Sequence, residues 1–491
     1  MNRKTVFFIT GKIILAEAAM LMLPLLVSLV YHDGMTSEFL IAAALAAVIG
    51  FLLTRLRPED QTMYAHEGFA IVALAWIALS AIGALPFCIS GYIPSYIDSL
   101  FEVVSGFTTT GSSILTQVEA LPRSLLFWRS FTHWVGGMGV LVFVMAVIPL
   151  SDRRSMHIMR AEVPGPIVGK LTPKLQDSAK ILYTLYLILS AIQFVLLICG
   201  GMGPFDSAIH VFGTAGTGGF SSHGESIAFY HSAYIEWVIT IFMALFGVNF
   251  NLYYYLLLKN YSAVFKNEEL RWYLGIMVTS AVAIAINIMP QTGGFFTSLR
   301  YSAFQVSTVM TTTGYATTDF NLWPAFSKTI LVTLMFIGAS AGSTGGGLKV
   351  SRLLILAKSS KNEIRRMLHP RMVTAVTMDE KPIPESTVTG AFMYLALYVF
   401  LAVLSLLILS LDNFDLETTF TAMAACFNNI GPGLGVVGPT GNYSAFSDLS
   451  KIVLIFDMLL GRLEIFPLIF GLMLPSRRSI TRALTRSGAR K

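Results

Sequence analysis

The sequence predicts an all-α polytopic membrane protein, in which four similar helical repeats surround one pore and two extra membrane helices precede them. Only 13% of the 491 residues are charged and 54% are hydrophobic, whereas about a quarter of the residues in a soluble globular chain are charged. Apolar stretches of about 20 residues, long enough to cross a membrane, recur along the chain. Four shorter apolar segments between them share one residue pattern.

The apolar stretches predict ten membrane spans, and the basic residues predict their orientation. Assigning alternate connections to opposite faces puts most of the 34 Lys and Arg residues on one side, which the positive-inside rule makes cytoplasmic. Both termini are then cytoplasmic, and the net charge of +6 reports topology rather than nucleic-acid binding. The spans are expected at about 5–30, 38–54, 68–90, 124–150, 178–200, 232–258, 272–290, 326–348, 387–411 and 450–474.

The four shorter segments align without gaps on the non-cytoplasmic side. Each has a hydroxyl or Asp near its start, which suits a helix N-terminus, continues for about two apolar turns and stops at a glycine. We expect each to form a short re-entrant helix followed by a loop that turns back. The segments are Asp98–Gly111 (DSLFEVVSGFTTTG), Asp206–Gly219 (DSAIHVFGTAGTGG), Tyr301–Gly314 (YSAFQVSTVMTTTG) and Thr418–Gly431 (TTFTAMAACFNNIG).

Each repeat therefore consists of a membrane helix, a short re-entrant helix with its loop, and a second membrane helix. The second helices share a glycine at Gly136, Gly247, Gly338 and Gly461. The predicted division is an N-terminal two-helix segment at 1–66, followed by repeats at 67–177, 178–270, 271–386 and 387–491, with a glycine-rich intramembrane loop at 338–347 in the third.

Four such loops around one axis would form a ring of oxygens. Neutral carbonyl and hydroxyl oxygens can replace the water shell of a monovalent cation, whereas a dense ring of carboxylates would favour a divalent ion, and the loops contain none. The residues expected to form this cation filter are Thr109, Thr110, Gly111, Gly218, Gly219, Thr312, Thr313, Gly314, Asn429, Ile430 and Gly431.

Acidic residues are expected to surround the entrance, where they would concentrate cations. The alternative, at least as good for any single residue, is that these carboxylates cap short helices and lie in water. They are Asp98, Glu102, Glu119, Asp206, Glu225, Asp319, Asp412, Asp415 and Glu417.

Two features below the loops predict a gate. Arg462 lies inside the last membrane span, where a charge is costly and therefore indicates function; a salt bridge to another helix is the alternative. The second helix of the third repeat contains five glycines within ten residues and cannot continue comfortably as a helix, although close helix packing through some of them is the alternative. The predicted gating residues are Gly338, Ser340, Gly342, Gly345, Gly346, Gly347 and Arg462.

Other motifs carry little chemistry. Cys88, Cys199 and Cys426 are far apart and predict neither a disulfide framework nor a zinc site. The run Gly165–Lys170 lacks the spacing of a phosphate-binding loop. Gly338, Ser340 and Gly342 match the G-x-S-x-G pattern of serine hydrolases, but without the strand-to-helix turn that this motif needs. We therefore predict that the chain is not an enzyme and binds no organic cofactor.

Taken together, these residues resemble the Trk/Ktr/HKT superfamily of potassium transporters, in particular its TrkH/TrkG-type transmembrane subunits. The resemblance covers essentially the whole chain, and it implies that the four loop glycines line a potassium filter, that residues 338–347 form the gating loop and that Arg462 is the gate arginine. It also implies a homodimer in the bacterial inner membrane and a cytosolic TrkA-type ring that binds NAD or ATP. The basic segments at 153–174 and 349–381 would dock that ring or contact anionic lipids.

The resemblance leaves two questions open. The second loop reads GTGGF and the fourth NNIGPG, so the ring is only pseudo-fourfold and the coordinating atoms in these two loops are not fixed. The function predicted is channel-like potassium uptake, with K+ as the transported ion. A K+/H+ or K+/Na+ symporter is the alternative, disfavoured because few buried carboxylates are expected as proton relays. An intramembrane serine hydrolase at Ser340 is a remote alternative.

Overall fold

The computed structural model describes residues 2–57, 65–139, 175–372 and 374–472. These residues are mainly helical, with one short antiparallel hairpin formed by β1 (Thr377–Met378) and β2 (Lys381–Pro382). Six helical stretches are long and apolar enough to cross a membrane, and a helix pair bent by 91° would make a seventh. The predicted all-α membrane fold is therefore confirmed. The six stretches are Arg3–Tyr31, Thr36–Thr54, Glu67–Ile89, Asp177–Cys199, Glu268–Thr292 and Glu385–Asp412.

The two N-terminal spans pack closely against each other. The first comprises α1 (Arg3–Met20) and α2 (Met22–Tyr31), and the second is α3 (Thr36–Thr54). A Cβ on Gly11 would lie 2.9 Å from the carbonyl oxygen of Gly50, and a Cβ on Gly50 would lie 2.9 Å from that of Gly11. The two glycines therefore allow the contact between α1 and α3, as small residues do in membrane helix pairs.

The remaining helices, in chain order, are α4 (Ala65–Gly83), α5 (Leu85–Ile89), α6 (Tyr96–Phe107), α7 (Arg123–Gly137), α8 (Leu175–Cys199), α9 (Pro204–Gly216), α10 (Ala233–Phe246), α11 (Phe250–Leu257), α12 (Tyr261–Phe265), α13 (Glu268–Thr292), α14 (Phe295–Met310), α15 (Ala325–Ile337), α16 (Val350–Leu368), α17 (Glu385–Leu409), α18 (Leu416–Phe427), α19 (Asp448–Leu463) and α20 (Ile465–Leu472). Single 3-10 turns lie at Val118–Ala120, Ser226–Tyr230, Phe320–Leu322, Ser410–Asp412 and Gly435–Val437.

Several predicted spans are interrupted. The span expected at 232–258 bends between α10 and α11, and the one at 326–348 is helical only as far as Ile337. The last span breaks at Glu464, between α19 and α20. The span expected at 124–150 begins with α7 and then runs into residues outside the described part of the chain.

Four short helices, α6, α9, α14 and α18, lie inside the shell of longer helices. Their inner turns are almost completely buried, whereas the longer helices leave many large apolar side chains exposed, as lipid contact requires. Two of the short helices have side-chain N-caps, each three residues before its aligned segment: Ser95 accepts a hydrogen bond from the backbone N–H of Asp98 (3.3 Å), and Asp415 accepts one from that of Thr418 (3.0 Å). The N-caps of α9 and α14 are Gly203 and Gly294, so the expected hydroxyl or Asp cap is absent from these two. Each helix ends at one of the predicted filter loops, so the negative end of its dipole lies near the loop.

Candidate functional site

Four segments, which we call the loop ring, share one backbone conformation. They are Thr108–Gly111, Gly216–Gly219, Thr311–Gly314 and Asn428–Gly431. The second residue of each has a left-handed φ of +55° to +59° and the closing glycine a φ of +77° to +98°. Only glycine adopts the latter conformation without strain. The shared conformation therefore explains why each aligned segment ends at a glycine.

The same hydrogen bond holds each loop to its short helix. The backbone N–H of the third loop residue donates to the carbonyl oxygen five residues earlier, at 2.8–2.9 Å in all four loops. The pairs are Thr110 with Ser105, Gly218 with Gly213, Thr313 with Thr308, and Ile430 with Ala425. The repeat seen in the sequence is thus a repeat of backbone geometry.

The four loops meet one another in order around a closed ring. A Cβ added to each closing glycine would collide with a carbonyl oxygen of the next repeat. The collisions would be between Gly111 and the carbonyl of Gly218, Gly219 and that of Thr313, Gly314 and that of Ile430, and Gly431 and that of Thr110. Since the fourth loop contacts the first, the ring closes.

The carbonyl oxygens involved in these contacts are available to a ligand. In the described part of the chain, no residue donates a hydrogen bond to the carbonyls of Thr110, Gly218, Thr313 or Ile430. Buried carbonyls are normally satisfied, so a set of four without donors is unusual. All four oxygens could coordinate one monovalent cation.

The side chains of the loop ring mainly brace it from behind. Within the first loop the hydroxyls of Thr108 and Thr110 are 2.8 Å apart, and Asn429 donates from Nδ2 to the hydroxyl of Thr110 (2.9 Å) and to the carbonyl of Met458 (2.9 Å). Ile430 is fully buried. In the fourth loop the side-chain oxygen Oδ1 of Asn429 is buried and has no hydrogen-bond donor among the described residues, so it is available to a ligand beside the main-chain oxygens.

All four closing glycines line one cavity of about 450 Å³ on the outer side of the loop ring. Glu119 and Glu225 also line it. The carboxylate of Glu119 accepts a hydrogen bond from the backbone N–H of Gly224 (2.7 Å), which lowers the pKa of that carboxyl. Glu119 is therefore ionised at neutral pH and can attract cations.

The acidic entrance predicted from the sequence is only partly correct. Glu102 does not face the entrance: it is buried and forms a 2.5 Å ion pair with Arg129. Asp98 pairs with Lys451 at 2.6 Å. Glu417 pairs with Lys328 at 3.1 Å, and Asp415 caps α18. Basic partners therefore neutralise several of the predicted carboxylates.

The glycine-rich segment lies directly beneath the loop ring. It runs without helix between α15 and α16, which confirms the predicted interruption. The backbone N–H of Gly346 donates to the hydroxyl of Thr312 (2.6 Å), and a Cβ on Gly345 would lie 2.8 Å from the carbonyl oxygen of Thr311. Side chains at these glycines would therefore push the segment out of its position under the ring.

Arg462 fastens this segment to the first repeat. It is buried on α19, and its guanidinium donates to the carbonyl of Thr344 (2.7 Å) and to the carbonyls of Gly136 and Gly137 at the end of α7. Thr344 in turn donates from its hydroxyl to the carbonyl of Phe246 in the second repeat (3.2 Å). The intramembrane loop and Arg462 thus connect all four repeats below the ring.

Two further residues at this level were missed in the sequence. Lys349, expected among the cytoplasmic basic residues, is buried and donates to the carbonyl of Gly345. Glu269 on α13 accepts hydrogen bonds from the backbone N–H groups of Ala341 (2.7 Å) and Ser351 (3.1 Å), one within and one just beyond the intramembrane loop. The only signal in the sequence is a pair of carboxylates, Glu268 and Glu269, at the start of an apolar span.

The arrangement around Ser340 does not resemble a hydrolase site. Its hydroxyl is buried and has no hydrogen-bond partner among the described residues. A nucleophilic serine needs an adjacent base. Cys88, Cys199 and Cys426 are all free, and no cluster of three or more His, Cys, Asp or Glu side chains that could bind a metal occurs in the described ranges.

Comparisons with known proteins match this architecture. Residues 34–482 match the family model described as "TrkH: Cation transport protein". The chain is 34% identical to the Trk system potassium uptake protein TrkH of Salmonella typhimurium, covering 96% of this chain and 98% of that protein. It is also 34% identical to the Trk system potassium uptake protein TrkG of Escherichia coli K12, covering 91% and 93%.

A solved structure agrees in fold. The crystal structure of the potassium transporter TrkH from Vibrio parahaemolyticus superimposes with a TM-score of 0.85 at 31% identity, covering 97% of this chain and 99% of that one. Family match, full-length similarity and superposition point the same way: this chain belongs to the TrkH family of cation transport proteins.

Proposed function

We propose that this protein takes up potassium as the transmembrane subunit of a Trk-type system. The observation that carries the proposal is the closed loop ring, in which four main-chain oxygens without donors meet around one axis. Rings of backbone carbonyls replace the hydration shell of K+ in potassium filters. The named relatives are potassium uptake proteins, and K+ is then the transported ion.

The proposed filter comprises Thr109, Thr110, Gly111 and their counterparts in the other three loops. The carbonyl oxygens select the ion, and the closing glycines permit the backbone turn that directs these oxygens toward the pore axis. Side chains in the fourth loop hold its backbone in place, because Ile430 is buried and Asn429 is hydrogen-bonded to neighbours. Potassium would enter from the outer cavity, where Glu119 raises the local cation concentration.

The proposed gate comprises the intramembrane loop at 338–347 and Arg462. The loop lies below the third and fourth segments of the ring, and the guanidinium bonds it to α7. A positive charge at this level opposes the passage of a cation. Opening would require these contacts to break, so that the loop moves aside.

A coupled K+/H+ symporter is a second candidate, favoured by one observation. The expectation that buried carboxylates are scarce is wrong, because the described residues include Glu17, Glu67, Glu236, Glu269 and Asp457 in buried positions. Asp457, on α19, accepts a hydrogen bond from Ser405 (2.7 Å), and its second oxygen has no partner. A buried membrane carboxylate of this kind is typical of proton relays.

The assembly implied by the family is part of the proposal. The chain would form a homodimer in the bacterial inner membrane with both termini in the cytoplasm, and a cytosolic TrkA-type ring that binds NAD or ATP would regulate it. The exposed cytoplasmic end of α16, with Lys361, Arg365 and Arg366, offers a basic surface to that ring or to anionic lipids. The other basic segment, at 153–174, lies outside the described residues.

Rubidium uptake into liposomes under an imposed voltage tests the proposal. Purified protein should carry Rb+ in preference to Na+, with a driving force set by voltage and the Rb+ gradient alone. No uptake by correctly inserted protein would refute potassium transport. Uptake that follows an imposed pH gradient at zero voltage, and is lost in Asp457→Asn, would instead establish the symporter.

A further inference from the structure

The second loop of the ring differs from the first and third where side chains brace the backbone. In the first loop, the hydroxyls of Thr108 and Thr110 are hydrogen-bonded to each other, and those of Thr311 and Thr313 form the same pair in the third loop, both at 2.8 Å. The matching residues in the second loop are Gly216 and Gly218. This loop therefore lacks the side-chain pair that supports its counterparts.

The space behind the second loop is filled by a side chain from the first repeat. His133 on α7 is fully buried. A Cβ on Gly218 would collide with its imidazole, whereas a Cβ on Gly216 would collide with its backbone carbonyl. The imidazole also packs against Phe220, with ring centroids 4.1 Å apart. The imidazole thus occupies the space into which a side chain at Gly218 would project, the position held by Thr110 and Thr313 in the other two loops.

The imidazole also forms hydrogen bonds that fix its chemical form. Its Nδ1 lies 2.7 Å from the carbonyl oxygen of Gly106, and its Nε2 accepts the backbone N–H of Phe220 at 3.3 Å. A carbonyl only accepts and an N–H only donates, so Nδ1 carries the proton and Nε2 does not. The neutral imidazole therefore joins the first short helix to the second loop.

Among the four repeats, only the first has a histidine at this position of its second helix. Three residues before the recurring glycine of the second helices, the first repeat has His133, whereas the other three have Ala244, Met335 and Met458. The one histidine thus accompanies the one loop that has glycines in place of the bracing pair.

We propose that His133 is a positioning residue that sets the geometry of the second filter loop and thereby the preference for K+ over Na+. The inference rests on the proposed potassium filter. The imidazole holds the carbonyl of Gly218 at the distance that the threonine pairs set in the first and third loops. Without it, Gly216 and Gly218 have no side chains of their own to restrict the backbone of this loop.

The test compares the Rb+/Na+ permeability ratio in liposomes for the wild type, His133→Ala, and the double variant His133→Ala/Gly218→Thr. Loss of the hydrogen bond and of packing should lower the ratio about fivefold to tenfold in His133→Ala. The double variant, which places a threonine side chain in the space that the imidazole leaves at Gly218, should recover part of this loss. Gly218→Thr alone should be as harmful as His133→Ala, because the imidazole blocks the new side chain.

Thr132→Ala is the matched control. Thr132 is equally buried on the same helix, but its hydroxyl donates to the carbonyl of Arg129 within α7, so the ratio should not change. An unaltered ratio in His133→Ala would overturn the inference, as would a double variant no better than the single one. If His133→Ala does not fold, recovery of folding and selectivity in the double variant supports the inference, and continued loss overturns it.

These outcomes are distinct from failure of the proposed function. Wild-type protein that carries no Rb+ in the same assay would refute potassium transport itself, and the inference with it. Wild-type protein that selects Rb+ while His133→Ala selects it equally well would leave the proposed function intact and remove only the role of His133.

Discussion

The outer and inner halves of the predicted pore differ in symmetry. The loop ring repeats one backbone conformation and one hydrogen bond four times. Among the described residues, the level below it does not repeat: an irregular segment comes from the third repeat, Arg462 from the fourth and Glu269 from the start of α13. A symmetric ring suits uniform coordination of an ion, whereas a gate needs one element that can move against the others.

The difference shows how one repeated unit can provide two functions. Among the second helices whose continuation the structure describes, α10 and α19 are followed by further helices after a break, whereas α15 ends at Ile337 and continues as the irregular glycine-rich segment. The contacts of this loop extend to Phe246, Thr312 and, through Arg462, to Gly137. The proposals therefore separate: changes in the ring should alter selectivity, and changes below it should alter the basal rate.

The largest effect is expected for Gly111→Ser. The added Cβ would collide with the carbonyl of Gly218 at a φ of +82°, where non-glycine residues are strained. Strain of about 1 to 3 kcal/mol in the filter should reduce the Rb+/Na+ ratio by about tenfold to a hundredfold. The ratio would be measured by competitive uptake. Gly390→Ala is the control, because nothing lies within 4 Å of its added Cβ; an unchanged ratio in Gly111→Ser would remove that loop from the filter.

Arg462→Ala should raise the basal rate with little change in selectivity. Its charged hydrogen bonds to Thr344 and Gly137 would be lost, and each such bond contributes about 1.5 to 3 kcal/mol. We expect basal Rb+ flux to rise about tenfold, measured without a cytosolic partner. In Arg462→Lys, which keeps the positive charge but loses the planar set of guanidinium donors, the basal flux should rise less. Equal or lower flux in Arg462→Ala, with protein normally inserted, would contradict the gating role.

A smaller increase in basal flux is expected for Glu269→Ala. The carboxylate accepts hydrogen bonds from the backbone N–H groups of Ala341 and Ser351, and only that of Ala341 lies within the intramembrane loop. The increase should be about fivefold. Glu269→Gln keeps an acceptor oxygen and should stay near the wild-type rate.

Glu268→Gln is the matched control for Glu269. This neighbour pairs with Lys358 at 2.6 Å and makes no hydrogen bond to the intramembrane loop in the described structure. If Glu269→Ala and Glu268→Gln change flux equally, the anchor has no specific role.

The smallest effect is expected for Glu119→Gln at the outer cavity. Removing this charge should raise the Rb+ concentration for half-maximal uptake about twofold at low ionic strength, and the difference should vanish in high salt. Because the hydrogen bond from Gly224 lowers the pKa of Glu119, the wild-type advantage should persist at neutral pH and fall only as the pH drops through that lowered pKa. A salt-independent difference would contradict electrostatic attraction.

The fourfold ring could be predicted because glycine spacing and apolar segments are local signals in the chain. The glycine in each loop, the break after Ile337 and the burial of Arg462 were all readable in this way. Contacts between residues far apart in the chain could not be predicted from the sequence. The sequence places Glu102 at the entrance because it does not reveal the buried ion pair with Arg129. It places Lys349 among the cytoplasmic basic residues because nothing in the sequence marks where the buried glycine-rich segment ends.

The second loop shows the same limit in finer detail. Its glycines look like a departure from the pattern of the other loops, and nothing near them in the sequence indicates a replacement. His133 lies 85 residues before Gly218 along the chain, so only the folded arrangement brings the imidazole to that space.

The most direct test of the loop ring is an anomalous-scattering map of crystals grown in Rb+. We expect a Rb+ peak on the axis in direct contact with the carbonyl oxygens of Thr110, Gly218, Thr313 and Ile430. The peak should disappear when Na+ replaces Rb+ in the crystals. A map with no ion at that level, or with Rb+ bound only elsewhere, would contradict it.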